Sequence, residues 1–326
     1  MIHPIPLPLR DDCLFIDNST FETFSTCPRQ GEYYFCRKRE TAGTRPALFF
    51  GDLIHKALEH RYKTEFPYHQ TPAVEAEMVG ILEKGYETYT PPDGEFRTLS
   101  FGVELINTYG VKYPFEGFQV YNNMVERSFA IPIGEVEINA DVLVLNPDTF
   151  ETSVRHLKKI HIIWTGKIDL VIQQNNVDGL MCADHKTTSM MGPSFFKDFE
   201  LSHPMLGYNW AARHITGQPV IGHMMNAIAT RKPTRTGTSL EMVRQFYRVE
   251  DHQLEEWRMD TMHAVSSIVS QIVGGYLPKH TKWCLGKYGE CQYHKVCTMR
   301  PEHREIMLSS GEYQDVTWSP LKEVAQ

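Results

Sequence analysis

The sequence predicts one domain of the α/β or α+β class, in which a central β-sheet is flanked by helices. Apolar residues recur at helical spacing through most of the first 113 residues. Short β-type runs separated by turn residues then dominate between residues 119 and 249. A last long helical pattern, Leu254–Val273, stops at Gly274 and Gly275, as helices commonly do.

The amino-terminal third is predicted to be helical. Ser19 and Glu22 form a capping box that opens a short helix over Thr20–Thr26, and a second helical stretch runs from Pro28 to Arg39. Three further helical patterns follow, of which the last two make up a helical insertion at residues 67–117: Leu48–Phe66, Ala73–Tyr89 and Arg97–Tyr113.

The central part is predicted to supply the sheet. A helix at Met205–Thr216, stopped by Gly217 and Pro219, interrupts its β-type runs. These runs are Gln119–Ala130, Glu135–Leu145, Lys159–Gln173, Leu180–Lys186, Val220–Thr230 and Met242–Val249.

Composition and charge exclude some classes of protein. With 33 basic and 40 acidic residues the net charge is −7, which excludes a wholly basic nucleic-acid coat protein but allows a local basic groove. A chain of 326 residues buries roughly three quarters of its unfolded surface, so its core needs no disulfides. The amino terminus has no signal-peptide pattern, and no apolar run reaches the ~18 residues of a membrane span. We therefore expect a soluble, cytoplasmic protein.

A predicted β-hairpin carries the most informative residues. If its loop is the four residues Asn175–Asp178, Asp169 lies opposite Asp184. The same register places Lys167 opposite Lys186. Because side chains alternate along a strand, these two aspartates and two lysines share one face of the hairpin.

The shared face suggests a metal site. Opposed residues have Cβ atoms roughly 4.5–5.5 Å apart, where two carboxylates repel each other. A divalent cation between Asp169 and Asp184 would turn this repulsion into ligation, and Lys186 would lie beside it. The alternative is an exposed face with two cross-strand salt bridges and no chemistry. The pairing also depends on the assumed loop, because a shift of one residue in register would destroy it.

Seven cysteines are distributed unevenly along the chain. Three lie near the start and three, Cys284, Cys291 and Cys297, lie near the end. In a cytoplasmic chain of this length, such clustering indicates metal ligation more than disulfide bonds.

The ordered set of motifs resembles a known superfamily. Asp169, a gap of fourteen residues, and then Asp184-His185-Lys186 resemble the signature of the PD-(D/E)XK nucleases. The stretch from Gly51 to His55 resembles the GxxxH motif of their RecB-like branch. Cys27-Pro28-Arg29, together with the three late cysteines, resembles the iron–sulfur nucleases of that branch, including AddB-like and CRISPR-associated RecB-type exonucleases and their phage relatives.

The resemblance implies a fold, an activity and a catalytic site. The fold would be a restriction-endonuclease-like core, a mixed central sheet flanked by helices, in a single nuclease domain at 1–326. The activity would be hydrolysis of DNA phosphodiester bonds with Mg²⁺ or Mn²⁺, and Asp169, Asp184 and Lys186 would be the catalytic residues. The implied metal ligands are His55, Asp169, Asp184, the backbone carbonyl of His185 and Glu126.

The resemblance also implies a cluster that joins the two ends of the chain. Cys27, Cys284, Cys291 and Cys297 would hold a [4Fe–4S] cluster, as a staple between residues 19–39 and 280–300. The residues leave two alternatives open. A structural Zn²⁺ could bind the same thiols with His294 or His303 nearby, or the thiols could be free and buried.

DNA is the partner that the resemblance implies. Relatives act on DNA ends or single strands in recombination, repair or CRISPR-type processing with protein partners, and many are phage-encoded and work in the host cytoplasm. The branch has a QxxxY motif on its next helix, where this chain has Pro204 in place of Gln and Tyr208 in place. Pro204 supports the alternative of an inactive protein that only binds nucleic acid. The candidate DNA contacts are Tyr208, Arg37, Lys38, Arg231, Lys232 and Arg235.

Overall fold

The computed structural model describes residues 4–43, 45–234, 240–286 and 289–316. The chain forms two compact units. We name the first the hairpin unit, because it contains the predicted hairpin, and the second the terminal unit. The hairpin unit consists of Thr44–Arg127 and Lys167–Glu255, and the terminal unit of Met1–Gly43, Ser128–Gly166 and Glu256–Gln326.

The helices and strands follow one another as the sequence predicts for most of the chain. The helices are α1 Asn18–Thr26, α2 Pro28–Gly31, α3 Pro46–Tyr62, α4 Pro72–Glu87, α5 Leu99–Lys112, α6 Pro193–Lys197, α7 His203–Thr216, α8 Asp251–Val273, α9 His294–Thr298 and α10 Pro301–Leu308. The strands are β1 Leu7–Pro8, β2 Cys13–Ile16, β3 Arg39–Thr41, β4 Phe118–Leu145, β5 Thr152–Gln174, β6 Leu180–Thr188, β7 Val220–Ala229, β8 Met242–Arg248, β9 Leu285–Gly286, β10 Gly289–Glu290 and β11 Tyr313–Asp315.

The hairpin unit contains a mixed sheet with the strand order β4, β5, β6, β7, β8. β6 pairs antiparallel with β5 and parallel with β7, and β8 pairs antiparallel with β7. The parallel pair is joined through α6 and α7, because parallel neighbours need a crossover connection. Helices α3, α4 and α5 pack their apolar residues against this sheet to form the core of the unit, which includes Phe50, Ile54, Leu82, Leu105, Leu170, Ile172, Ala183 and Met224. The predicted mixed sheet flanked by helices is confirmed.

The terminal unit has two further sheet pairings and a small core of its own. Here β1 pairs parallel with the end of β4, and β2 pairs parallel with β5. Near the carboxyl terminus β11 pairs with β3. Aromatic and aliphatic residues from both ends of the chain form the core: Tyr33, Tyr293, Val296, Met307, Leu308 and Tyr313.

Two sequence predictions about the first helices are wrong in detail. The N-cap of α1 is Asp17, whose side chain accepts a hydrogen bond from the backbone N–H of Thr20 at 2.9 Å, so Ser19 lies inside the helix. The stretch after Pro28 ends at Cys36 rather than at Arg39, and its second half is a π-helical turn. Asp17 is the better cap because its carboxylate reaches the free N–H groups of the first turn.

The long strand β4 also differs from prediction. Its residues 118–145 form one continuous strand where the sequence predicts two separate runs, Gln119–Ala130 and Glu135–Leu145. Residues 67–117 contain the two predicted helices α4 and α5. No helix among the described residues has the length and apolar character required to cross a bilayer.

Candidate metal centre

The hairpin formed by β5 and β6 has the register that the sequence predicts. Leu170 pairs with Ala183 and Ile172 with Met181. Continued by one residue, this register places Asp169 opposite Asp184. The side chain of Asp169 also accepts a hydrogen bond at 2.8 Å from the backbone N–H of His185, so the two strands are joined at the first aspartate.

Helix α3 brings His55 to this hairpin. The Nδ1 atom of His55 lies 3.3 Å from Oδ2 of Asp169. Gly51, one turn earlier in the helix, explains the close approach, since a Cβ atom there would lie only 3.0 Å from Oγ1 of Thr187. Glycine therefore allows α3 to pack directly against the end of β6.

Glu126 completes a group of three side chains that could hold a metal ion. Its φ of 49° lies in the left-handed region, which residues with a side chain rarely adopt. Its carboxylate forms an ion pair with Nζ of Lys167 at 2.7 Å. One ligand atom each from His55, Glu126 and Asp169 lies within 4.8 Å of the others, and no other such group of three occurs among the described residues. The donor set fits a hard divalent cation, which prefers carboxylate oxygens and accepts imidazole.

The acidic groups of the centre repel one another. Burial, with the negative charge of Asp169 added, raises the pKa of Asp184 to about 7 and that of Glu126 to about 7. Burial works against the charged form of His55, but the neighbouring carboxylate of Asp169 outweighs it and raises the pKa of His55 to about 9. Without another cation the imidazolium of His55 thus balances part of the negative charge, as a bound metal ion would.

Comparison with known proteins assigns the chain to a superfamily. The family model of the PD-(D/E)XK nuclease superfamily matches residues 18–298, most of the chain. The chain belongs to the PD-(D/E)XK nuclease superfamily. It is therefore placed among enzymes that hydrolyse phosphodiester bonds, and DNA is the substrate that this family implies. A search of curated proteins found no significant match.

Solved structures of two bacterial exonucleases are also similar to this nuclease. One is a provisionally named exonuclease from Eubacterium rectale, with 13% identity, a TM-score of 0.46, and coverage of 91% of this chain and 93% of that one. The other is an alkaline exonuclease from Laribacter hongkongensis, with 10% identity, a TM-score of 0.24, and coverage of 69% and 93%. Both TM-scores lie below 0.5, so the family assignment depends on the family model alone.

The remaining predicted catalytic residues of the nuclease lie on β6. Lys186 is exposed and two residues from Asp184, so both project from the same face of the strand. His185 projects from the opposite face and is buried, with 3% of its surface exposed. Burial lowers the pKa of the His185 ring to about 3, so the ring is neutral. Ligation by the His185 carbonyl stays a prediction.

The predicted DNA contacts divide between exposed and occupied side chains. Arg37 forms ion pairs with Glu32 and Glu305. Lys38 is buried, with 5% exposed, and its ammonium lies 5.1 Å from the ring centre of Phe35, a position that does not favour a phosphate contact. Burial lowers the pKa of Lys38. Of the other basic candidates, Arg231 is half-buried and pairs with Glu241, and Lys232 is exposed. Arg235 lies outside the described residues.

Pro204 has a structural explanation. It lies in the first turn of α7, where proline is favoured because its missing N–H would have no partner in the helix. Tyr208 follows one turn later and is half-buried. The proline therefore gives no independent sign that the nuclease has lost its activity.

The four candidate cluster cysteines line one cavity of the terminal unit. Cys27 is buried and the other three are half-buried. The backbone N–H of His280 donates a hydrogen bond to Sγ of Cys27 at 3.4 Å. Burial, and then the nearby Cys27 and Cys284, raise the pKa of the Cys291 thiol. Among the described residues, however, no three of these sulfur atoms lie within 4.8 Å of one another.

Sequence reasoning missed two parts of the centre. The ion pair between Lys167 and Glu126 depends on the unusual backbone of Glu126, which no local pattern signals. The second part is Asn226, which lies behind His185 and donates a hydrogen bond to its ring. Its signal was available in the sequence, since Asn226 and His223 are the two polar side chains of the otherwise apolar strand β7.

Proposed function

We propose that this chain is a metal-dependent deoxyribonuclease that digests DNA from its ends, with Mg²⁺ or Mn²⁺ as the cofactor. The observation that carries the proposal is the convergence of His55, Glu126 and Asp169 within 4.8 Å, beside the paired aspartates of the hairpin. Membership of a nuclease superfamily supports hydrolysis of phosphodiester bonds by this centre.

Each residue of the centre has a role in the proposed reaction. His55, Glu126, Asp169 and Asp184 would hold the cation, together with the carbonyl of His185. The cation would polarise the phosphoryl group and stabilise the charge that develops on it. Lys186, exposed on the same face as Asp184, would orient the attacking water or donate a hydrogen bond to a phosphate oxygen.

The negative charge of the centre favours a bound cation. Three carboxylates share one site with two of their pKa values raised, and ligation would lower those pKa values again. The net charge of −7 does not argue against a DNA substrate, because the bound cation and Lys186 would supply positive charge at the scissile phosphate.

The proposal includes a [4Fe–4S] cluster on Cys27, Cys284, Cys291 and Cys297. Its support is the shared cavity and the N–H···S hydrogen bond to Cys27. A single tetrahedral zinc ion holds its sulfurs about 3.8 Å apart, given Zn–S bonds near 2.3 Å. Four thiolates bound to four different irons would lie further apart than that.

The finer parts of the proposal come from the family resemblance of the motifs rather than from the geometry. These parts are the RecB-like branch, action on DNA ends or single strands, a phage origin, and a role in recombination, repair or CRISPR-type processing with a protein partner.

Digestion of end-labelled single- and double-stranded DNA tests the proposal. Anaerobically purified wild type, Lys186→Ala and a control, Lys158→Ala, are compared with Mg²⁺ or Mn²⁺. Lys158 is exposed on β5 and far along the strand from the hairpin, so its variant should cleave normally. We expect metal-dependent cleavage that is lost in Lys186→Ala, with a product ladder that reports polarity. Absence of cleavage by folded, metal-loaded wild type would refute the proposal and favour a binding protein.

A further inference from the structure

A polar network lies inside the apolar core of the hairpin unit. Glu116, whose side chain is fully buried, forms ion pairs with Arg61 and Arg244. The hydroxyl of Tyr62 donates a hydrogen bond to the same carboxylate at 2.9 Å. Arg61 is also fully buried. The network therefore brings α3 and β8 together around a single carboxylate.

Such a network is an expensive way to stabilise a core. Taking charges out of water costs free energy, and well-packed apolar residues of similar volume are often at least as stabilising. The surrounding core is apolar, so Leu or Met side chains would suit these positions. The network therefore points to a role other than stability, at the end where Arg244 contacts Asn226.

At one end the network fixes the orientation of Asn226. Nε of Arg244 can only donate, and it lies 3.4 Å from Oδ1 of Asn226. The amide nitrogen of Asn226 must then face the other way, where it donates to the hydroxyl of Tyr109 at 2.9 Å and to Nδ1 of His185 at 2.8 Å. The His185 ring accepts at Nδ1, so its proton is on Nε2.

The His185 ring is held firmly although its other nitrogen has no partner. Its plane stacks on Tyr62, with ring centres 5.4 Å apart and an angle of 12°. Nε2 is buried and makes no hydrogen bond among the described residues. An unpaired buried N–H is costly, so the ring is a poor choice for packing alone. A fixed ring also restricts the backbone of His185, whose N–H donates a hydrogen bond to Asp169.

We propose that Asn226 is a positioning residue: by anchoring the ring of His185, it fixes the peptide group between Asp184 and Lys186 and thereby the orientation of the Asp169 carboxylate toward a divalent cation. The inference depends on the proposed metal site. Mutation of outer groups that orient metal ligands typically lowers metal affinity by about 10- to 100-fold.

Calorimetric titration with Mn²⁺, without DNA, tests the role of Asn226. Asn226→Ala should weaken Mn²⁺ binding by about tenfold, the lower end of the effect of such outer groups. His185→Phe, which keeps the stacked shape but removes the ring nitrogens, should weaken binding similarly. In the His185→Phe background, Asn226→Ala should change the affinity less than about twofold, because the two act through one contact.

Tyr68→Phe is the matched control. The Tyr68 hydroxyl accepts a hydrogen bond from the backbone N–H of Val120 in the same core, whereas Asn226 and His185 are joined by a different hydrogen bond. It should lower the melting temperature without changing Mn²⁺ affinity, which separates loss of stability from loss of positioning.

Three outcomes are distinguishable. Wild-type Mn²⁺ affinity in folded Asn226→Ala, or effects of the two substitutions that simply multiply, would overturn the positioning role. If Asn226→Ala does not fold, wild-type Mn²⁺ affinity in His185→Phe would by itself overturn the positioning role. Wild type that binds no Mn²⁺ at all would instead refute the proposed metal site itself.

Discussion

The Nδ1 atom of His55 and the Oδ2 atom of Asp169 lie 3.3 Å apart, although 113 residues separate them in the chain. The contact joins helix α3 to the hairpin and is one edge of the only group of three candidate metal ligands among the described residues. Because the imidazolium of His55 offsets nearby carboxylates, a divalent cation must replace its proton in order to use this nitrogen.

Asp184→Asn should weaken divalent-metal binding. The substitution keeps the shape of the side chain but removes one charge from the centre, so we expect Mn²⁺ affinity to fall by about tenfold or more, as for lost metal-site groups. The control is Asp178→Asn, an exposed aspartate in the loop of the same hairpin. Equal affinity of the two variants would remove Asp184 from the ligand set.

Gly51→Ala should lower the rate of DNA cleavage in protein that still folds. The new methyl group would lie 3.0 Å from Oγ1 of Thr187, a tight contact that pushes Thr187 and α3 apart, and a shift of α3 carries His55 with it. Small displacements of reacting groups cost up to about 100-fold in rate, and we expect a loss of several-fold. Thr187→Ala in the same chain should restore the rate, since it removes the contacting hydroxyl. No restoration would contradict this explanation of the glycine.

Cys291→Ser should bleach the brown colour of anaerobically purified protein and lower its melting temperature. One of four thiolates would be lost from the proposed cluster. Cys13→Ser is the control, because Cys13 lies on β2 and does not line the cavity of the four cysteines. Visible absorbance with iron and zinc analysis decides between the metals: zinc without iron would support the zinc alternative, and a coloured, equally stable variant would exclude Cys291 from the site.

The stability of the protein should fall with acid partly through His223. Burial lowers the pKa of His223 to about 4, from 6.5. Its Nδ1 faces the amide nitrogen of Asn209 at 3.0 Å and Nε2 lies 3.0 Å from the backbone oxygen of Phe199, so the neutral ring fits the site. The unfolded chain takes up a proton first as the pH falls. The stabilisation is therefore complete above pH 6.5 and is lost progressively down to pH 4.

His223→Asn should flatten this part of the pH profile. The shift corresponds to about 3 kcal/mol in the free energy of unfolding between the two limits. Urea denaturation at pH 7 and pH 4.5 measures it. Burial also lowers the pKa of His203 to about 4, so the variant should keep part of the slope. An unchanged slope in His223→Asn would show that this ring does not contribute.

How far the sequence predicted the centre depends on how local each contact is. The hairpin register followed from a short loop and strict alternation of side chains, and the structure confirms it at Leu170 and Ala183. The cap at Ser19 was wrong because Asp17, two residues earlier, offers a competing acceptor that the capping-box pattern does not weigh.

Contacts between distant residues could not be predicted from one sequence. Arg244 reaches Glu116 across 128 residues, and no periodicity records that pairing. The burial of Lys38 likewise depends on the turn that follows the π-helical segment, where Lys38 adopts a φ of 54°. The sequence predicted that Arg37 and Lys38 contact DNA, but the backbone conformation directs Lys38 inward.

The most direct test of the central claim is the metal dependence of DNA hydrolysis by wild type and by Asp169→Asn. Asp169 is the residue that touches both His55 and the peptide of His185, so its variant should lose cleavage while Asp178→Asn keeps it. We predict cleavage by wild type that EDTA abolishes and that added Mg²⁺ or Mn²⁺ restores. Cleavage that persists in EDTA, or that proceeds equally in Asp169→Asn, would contradict the account.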